Sequence, residues 1–226
     1  MRYAGTKRYC RVCERRASAF LPFGMPVRED VRCPFCGSLE RHRLVWRFFE
    51  DHTDLFDGRP KRMLHVAPEA SFEQRFRRLA GLDYTTADLL DPNVMVQMDL
   101  TDIPFSDGTF DVIYCSHVLE HVPDDRQAMR ELRRVLAPAG WAVIQVPITA
   151  PETIEDPTIT DPQERIRLFG QDDHVRRYGP DYSDRLREAG FAVDEIQVAD
   201  LAPASAIERE RLDADETVFR VTRAVS

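Results

Sequence analysis

The sequence predicts an α/β fold, a mostly parallel sheet with helices on both faces, preceded by a small N-terminal metal-binding module. Three observations carry this. From residue 61 onward short β-rich runs alternate with helical patterns. Two Cys-x2-Cys pairs fall within the first forty residues. The composition, 43% hydrophobic and 31% charged, belongs to a globular chain able to bury a core.

The head comes first. Cys10-x2-Cys13 and, after nineteen intervening residues, Cys33-x2-Cys36 match four-thiolate zinc spacing. Two residues between cysteines let a tight turn aim both sulfurs at one ion, and Pro34 and Gly37 supply turn chemistry at the second pair. Two disulfides or a redox pair are the competing readings. The first is disfavoured by the lack of an apolar leader among Arg2, Lys7, Arg8, Arg11, Arg15 and Arg16, the second by the duplicated motif. A module this short draws much of its folding energy from a structural zinc. His42 is a fifth ligand candidate, but four cysteines suffice. Leu44, Val45, Trp46, Phe48 and Phe49 have the spacing of an amphipathic helix joining head to body, so the expected domains are 1–45 and 46–226.

In the body, strands are predicted at Arg62–Val66, Asp83–Ala87, Val94–Met98, Phe110–Cys115, Gly140–Val146, Phe191–Val198 and Val218–Thr222. Helices are predicted at Phe72–Ala80 and Asp125–Val135, with a turn at Ala139-Gly140. Residues 147–182, rich in Pro, Asp, Glu and Thr, form a long connection expected to act as a substrate-side lid, where His174, Arg176, Arg177 and Tyr178 offer a base, two cations and an aromatic face. A solvated loop with scattered charge is the plain alternative.

The run Asp99-Leu100-Thr101-Asp102-Ile103-Pro104-Phe105 through Phe110-Asp111-Val112-Ile113, then His117-Val118-Leu119-Glu120-His121-Val122-Pro123-Asp124, then Leu136-Ala137-Pro138-Ala139-Gly140, resembles the class I S-adenosylmethionine-dependent methyltransferases, in the subgroup acting on many small molecules. The likeness covers roughly residues 60–225. It implies a Rossmann-like seven-stranded sheet whose last strand is antiparallel, with the cofactor across the carboxyl ends of the first four strands. It assigns Asp88, 21 residues after Ala67, to the ribose hydroxyls, Asp99 and Leu100 to the adenine edge, and Ser116 and His117 to the methionine end.

The family's glycine-rich loop is missing: His65-Val66-Ala67-Pro68-Glu69-Ala70-Ser71 stands there, with small residues but no glycine. Glu69 either holds the ligand's ammonium group or caps the following helix. If the acceptor needs deprotonation, His117 and His174 are the candidate bases, while His121 reads as capping or packing and, four residues from His117, also permits metal binding. Cys115 reads as core.

The net charge of -8 is uneven: residues 1–50 hold eleven Lys/Arg against five Asp/Glu, and the rest twenty against thirty-four. A basic head can grip nucleic acid or simply balance a zinc-thiolate cluster. The expected function is therefore a methyltransferase using S-adenosylmethionine and a structural zinc on a small-molecule substrate. The alternatives are an RNA-directed enzyme using the zinc head and a non-catalytic module that has lost the donor site. No run of about 18 uncharged apolar residues occurs, so no membrane partner is expected and the expected location is the cytoplasm.

Overall fold

A computed structural model describes residues 3–224. In chain order the elements are β1 (Arg8–Cys10), β2 (Arg15–Ala17), β3 (Leu21–Phe23), β4 (Arg28–Arg32), α1 (Glu40–His52), β5 (Lys61–Val66), α2 (Ala70–Phe76), β6 (Leu82–Asp88), β7 (Val96–Gln97), β8 (Phe110–Ser116), α3 (Asp125–Val135) and β9 (Leu136–Gln145). After β9 come β10 (Ile154–Glu155), α4 (Pro162–Phe169), β11 (Arg176–Arg177), α5 (Tyr182–Glu188), β12 (Phe191–Gln197), α6 (Val198–Leu201), α7 (Ala204–Glu210) and β13 (Thr217–Arg223). They fall into two compact units. One holds the residues to Pro60 with Glu69–Leu82 and Glu195–Val218; the other holds Lys61–Pro68, Asp83–Asp194 and the residues from Phe219 on.

In the first unit β1–β2 and β3–β4 are antiparallel hairpins. The apolar stripe of α1 is buried as its periodicity requires, and Trp46 and Phe49 meet Phe72 and Phe76 of α2 at ring distances of 5.3 to 6.2 Å. Phe49, Phe72 and Phe76 are almost fully buried, each contributing about 1.5–3 kcal/mol. Some basic residues of this unit are tied down by ion pairs, while Arg15 and Arg16 stay exposed. Arg8 lies 2.5 Å from Asp30, Arg47 lies 2.7 Å from Glu210, and Arg11 meets both Glu50 and Asp51. Arg43 is fully buried, donating to the Ser38 carbonyl at 2.8 Å and lying 4.4 Å over the Phe20 ring. Burial pushes its guanidinium pKa down, against the opposing charge of Glu40 and of the cysteine sulfurs nearby.

The second unit contains most of a seven-stranded sheet in the order β12-β13-β9-β8-β5-β6-β7. β5 and β9 run parallel to β8, β7 runs parallel to β6, and β13 runs antiparallel to β9. This is the Rossmann-like architecture expected from the sequence. The central strands read as continuous apolar runs because they are buried: Leu64, Ile113, Ala142 and Ile144 are buried, and Met129 and Leu132 of α3 share their core cluster.

Three boundaries differ from the expectation. The third strand shrinks to Val96–Gln97, and the first body helix runs Ala70–Phe76 instead of Phe72–Ala80. The predicted Ala139-Gly140 turn lies within β9. Leu136 pairs with Phe110 and Trp141 with Val112, so residues 137–140 bulge out. A Cβ on Gly140 would stand 2.7 Å from the Asp111 carbonyl, so only glycine fits that bulge.

Candidate active site

Four loops at the carboxyl ends of β5, β6, β7 and β8 enclose a cavity of about 330 Å³. Each loop contributes in turn Val66 and Ala67, then Asp88 with Leu89 and Leu90, then Met98 with Asp99 and Leu100, then His117, Val118, His121, Val122 and Pro123; Asp173 closes the edge. A sheet without a covering element at its strand ends leaves a crevice there, where open α/β sheets take ligands.

The two acidic residues share one local arrangement. Leu90 N–H and Asp91 N–H donate to Asp88 Oδ1 at 2.7 and 2.9 Å, and Thr101 N–H and Oγ1–H donate to Asp99 Oδ1, both at 2.8 Å. Each carboxylate thus fixes its own loop with one oxygen. Among the described residues no hydrogen bond reaches either Oδ2. Beside them Leu89 and Leu90 are exposed apolar side chains, while Met98 and Leu100 are buried.

Two wall residues occupy backbone space that L-residues rarely adopt. Ala67 has φ 47° and His117 has φ 55°, a strain of order 1–3 kcal/mol apiece. Both are pinned by strand-like hydrogen bonds, Ala67 N–H to the Ala87 carbonyl at 2.8 Å and His117 N–H to the Gln145 carbonyl at 2.9 Å. The loop after β5 therefore takes a glycine-type turn without a glycine, and alanine is the smallest residue with a side chain that can hold it.

His117 is about a quarter exposed, with Nδ1 3.3 Å from Oε1 of Glu120, which is almost fully buried. His121 Nδ1 lies 3.1 Å from Asp173 Oδ2, and its ring meets the His174 ring edge-on at 4.6 Å. His174 does not line the cavity. It is buried behind His121 with Nδ1 3.1 Å from the Phe169 carbonyl, and burial pushes its imidazole below the ordinary value.

Of the residues singled out in the sequence, Ala67, Asp88, Asp99, Leu100 and His117 line the cavity, whereas Glu69, Ser116 and His174 do not. Glu69 sits at the N-cap of α2 without a side-chain cap hydrogen bond, and its carboxylate lies 3.5 Å from His42 Nε2. His42 accepts from the Leu39 N–H at 3.1 Å, so it serves the start of α1. Ser116 is buried opposite Gln145 in the β8–β9 ladder. Sequence reasoning passed over Glu120 and Asp173; the Glu120-His121 pair was the available signal.

Residues 151–173 of the 147–182 segment are mostly exposed, but its end from His174 to Tyr178 packs inward. Arg176 and Tyr178 are buried, not presented to a substrate. Arg176 donates to the carbonyls of Leu119 (2.7 Å), Val122 and Pro123 (2.8 Å) and to Glu155 Oε2 (3.0 Å). Tyr178 O–H donates to Asp125 Oδ2 at 2.7 Å, which also accepts from Arg185 at 3.0 Å. The segment thereby clamps the 119–123 loop, which forms one wall of the cavity.

In the first unit Cys10, Cys13, Cys33 and Cys36 place their sulfurs within 4.8 Å of one another, with Cys10–Cys36 at 3.6 Å and Cys13–Cys33 at 3.7 Å. All five cysteines are free thiols, and Cys115 is fully buried. Ser38 Oγ lies 3.1 Å from Cys10 Sγ, and Gly37 N–H donates to the Cys33 carbonyl, forming the second knuckle. Four sulfurs converging without disulfides are a donor set of the kind a tetrahedral metal ion takes. Among the described residues no helix is long and apolar enough to cross a membrane.

Residues 63–144 match the family described as "Methyltransferase domain". A 37.1 kDa protein of a Streptomyces fradiae transposon is 32% identical over 56% of this chain and 36% of its own length. Demethylmenaquinone methyltransferase of Clavibacter sepedonicus is 40% identical over 34% of this chain and 28% of its own. The chain thus spans about a third of the curated relatives it matches. The structure of 1,6-didemethyltoxoflavin-N1-methyltransferase from Burkholderia thailandensis, solved with its substrate and S-adenosylhomocysteine, aligns with a TM-score of 0.53 at 16% identity, over 76% of this chain and 75% of that one. That likeness shows the fold. With the sheet order, it shows that the second unit has the class I S-adenosylmethionine-dependent methyltransferase fold, within which residues 63–144 match the methyltransferase-domain family.

Proposed function

We propose that the chain is an S-adenosylmethionine-dependent methyltransferase acting on a small molecule, with a structural zinc in its four-cysteine head. The observation that carries this reading is the convergence of Ala67, Asp88, Asp99, Leu100 and His117, from four strand ends, on one cavity of about 330 Å³ within the family domain. That volume is at the lower end of small-ligand pockets.

In this reading Asp88 Oδ2 accepts from the ribose hydroxyls, Asp99 Oδ2 accepts from the adenine amine, and Leu100 and Met98 cover the ring. Oδ1 of each aspartate is already held by loop donors, so both carboxylates are oriented before any ligand arrives. The bound cofactor supplies a methyl group on a positively charged sulfur, which leaves by in-line displacement as that charge disappears. The protein's work is then alignment and exclusion of water. Glu120 holds His117 Nδ1 as the proton-bearing nitrogen, which frees Nε2 to take a proton from an acceptor hydroxyl or amine. His174 has no such position, and Glu69 is left out because its carboxylate faces His42.

A small-molecule acceptor is favoured over RNA because Arg8, Arg11 and Arg28 of the head are held by Asp30, Glu50, Asp51 and Glu40, and the residues after 50 carry an excess of Asp and Glu. The demethylmenaquinone and didemethyltoxoflavin enzymes, both named for small acceptors, point the same way. Calorimetry with S-adenosylmethionine and S-adenosylhomocysteine tests the donor site: micromolar binding that Asp88→Ala weakens at least tenfold is expected, and no binding by the zinc-replete wild type would overturn the proposal. Steeply salt-dependent RNA binding would instead favour the RNA-directed alternative.

A further inference from the structure

We propose that Glu120, His121 and His174 form a second metal site, for a divalent first-row transition ion, in the wall of the cavity. One ligand atom from each of the three lies within 4.8 Å of the others. The set is two imidazoles and a carboxylate, a facial triad suited to zinc, iron, cobalt or manganese rather than to magnesium or calcium, which prefer oxygen throughout.

The hydrogen bonds around the cluster assign the free lone pairs. His174 Nδ1 lies 3.1 Å from the Phe169 carbonyl, which can only accept, so the proton sits on Nδ1 and Nε2 carries the lone pair. That Nε2 is buried and lacks a hydrogen-bond partner among the described residues. His121 Nδ1 lies 3.1 Å from the Asp173 carboxylate, which fixes the same tautomer and again leaves Nε2. Glu120 Oε1 faces His117, and its Oε2 is buried without a hydrogen-bond partner. A backbone carbonyl behind one imidazole and a carboxylate behind the other are the outer partners that metal-bound histidines carry.

Buried acceptors with nothing to accept from are rare in folded proteins. A cation satisfies both of them together with His121. Metal–nitrogen and metal–oxygen bonds of about 2.1 Å put donors roughly 3.0–3.4 Å apart, so the triad must contract slightly. His121, a third exposed, has the freedom to rotate. It also lines the cavity, so an ion held here leaves coordination positions for an oxygen- or nitrogen-bearing ligand entering it. This inference stands independently of the proposed methyl transfer.

Cobalt(II) titration of the full chain tests it, because the two sites differ in colour. A four-thiolate cobalt gives intense sulfur-to-metal charge-transfer bands, and a two-imidazole, one-carboxylate cobalt gives only weak visible bands. Two equivalents are expected, one of them without charge transfer. That equivalent should bind at least a hundredfold more weakly in His121→Ala and Glu120→Gln, and about ten- to a hundredfold more weakly in Asp173→Asn. The thiolate bands and the melting temperature should stay unchanged in these variants, showing that they fold. A wild-type protein that takes up cobalt only with thiolate charge transfer would overturn the proposal, as would a second equivalent held equally tightly by His121→Ala. An absent thiolate band would count against the head zinc alone.

Discussion

Arg176→Met removes the clamp on the cavity wall while keeping the apolar stem of the side chain. In the wild type the guanidinium, 3% exposed, donates to three backbone carbonyls of the 119–123 loop and to Glu155, with Asp125 3.6 Å away. Charge-assisted bonds contribute about 1.5–3 kcal/mol each but are not additive within one group. Asp125 and Glu155 keep Arg185, at 3.0 and 2.7 Å, so neither carboxylate is stranded. The loss therefore lies near the lower end of breaking a buried charge pair, about 3 kcal/mol. Urea unfolding followed by fluorescence should show a lower midpoint at unchanged slope. Because Val122 and Pro123 line the cavity, affinity for S-adenosylhomocysteine should fall as well. The control is Arg177→Met, whose guanidinium only reaches Thr149 at the surface; it should cost under about 1 kcal/mol. A loss below about 1 kcal/mol for Arg176→Met would refute the clamp.

Two further outcomes follow from the ion network and the head. The Arg185 hydrogen bond above all, with Arg176 adding to it against a smaller burial effect, holds the Glu155 carboxyl at about 2 instead of its ordinary 4.5. A depressed carboxylate stabilises the fold above its unfolded value and loses that contribution as pH falls from about 4.5 toward 2. The acid limb of a midpoint-against-pH curve should therefore flatten across that window in Glu155→Gln, and an unchanged limb would contradict the assignment. In the head, Cys13→Ser or a strong chelator should release one equivalent of zinc and lower the unfolding free energy of the first unit by several kcal/mol. Retention of full stability without zinc would remove its structural role.

The legibility of this chain from sequence divides by range. Strand periodicity, the Leu-x-Pro-x-Gly turn and the spacing of two Cys-x2-Cys pairs are short-range patterns. They predicted a mostly parallel α/β sheet, and the family resemblance assigned Asp88, Asp99, Leu100 and His117 to the cofactor, with Ala67 in the loop after the first strand; all five sit at strand ends and line one cavity. Each marked residue lies within a few positions of a strand terminus, where the sheet itself dictates placement. The edges of elements were less legible. The third strand is two residues long, and the Gly140 turn is a bulge inside β9, because sheet pairing with Phe110 and Val112 overrides local turn preference.

What a side chain does depended on partners distant in the chain. Arg176 and Tyr178 look like a substrate-facing pair in sequence, yet their partners are Asp125 and the carbonyls near residue 120, more than fifty positions away. Glu69 faces His42 rather than a ligand, and His174 meets Glu120 and His121 behind the cavity wall. Burial and charge pairing are properties of the packed assembly. A polar residue in a sequence carries donors and acceptors but no record of what will satisfy them, whereas cysteine spacing and strand periodicity carry their geometry with them. By itself, therefore, the sequence determined the fold class, the cysteine tetrad and the strand ends that line the cavity. Only the tertiary structure decided which buried polar groups hold that cavity in shape, because desolvation makes each of them require a partner that folding alone brings near.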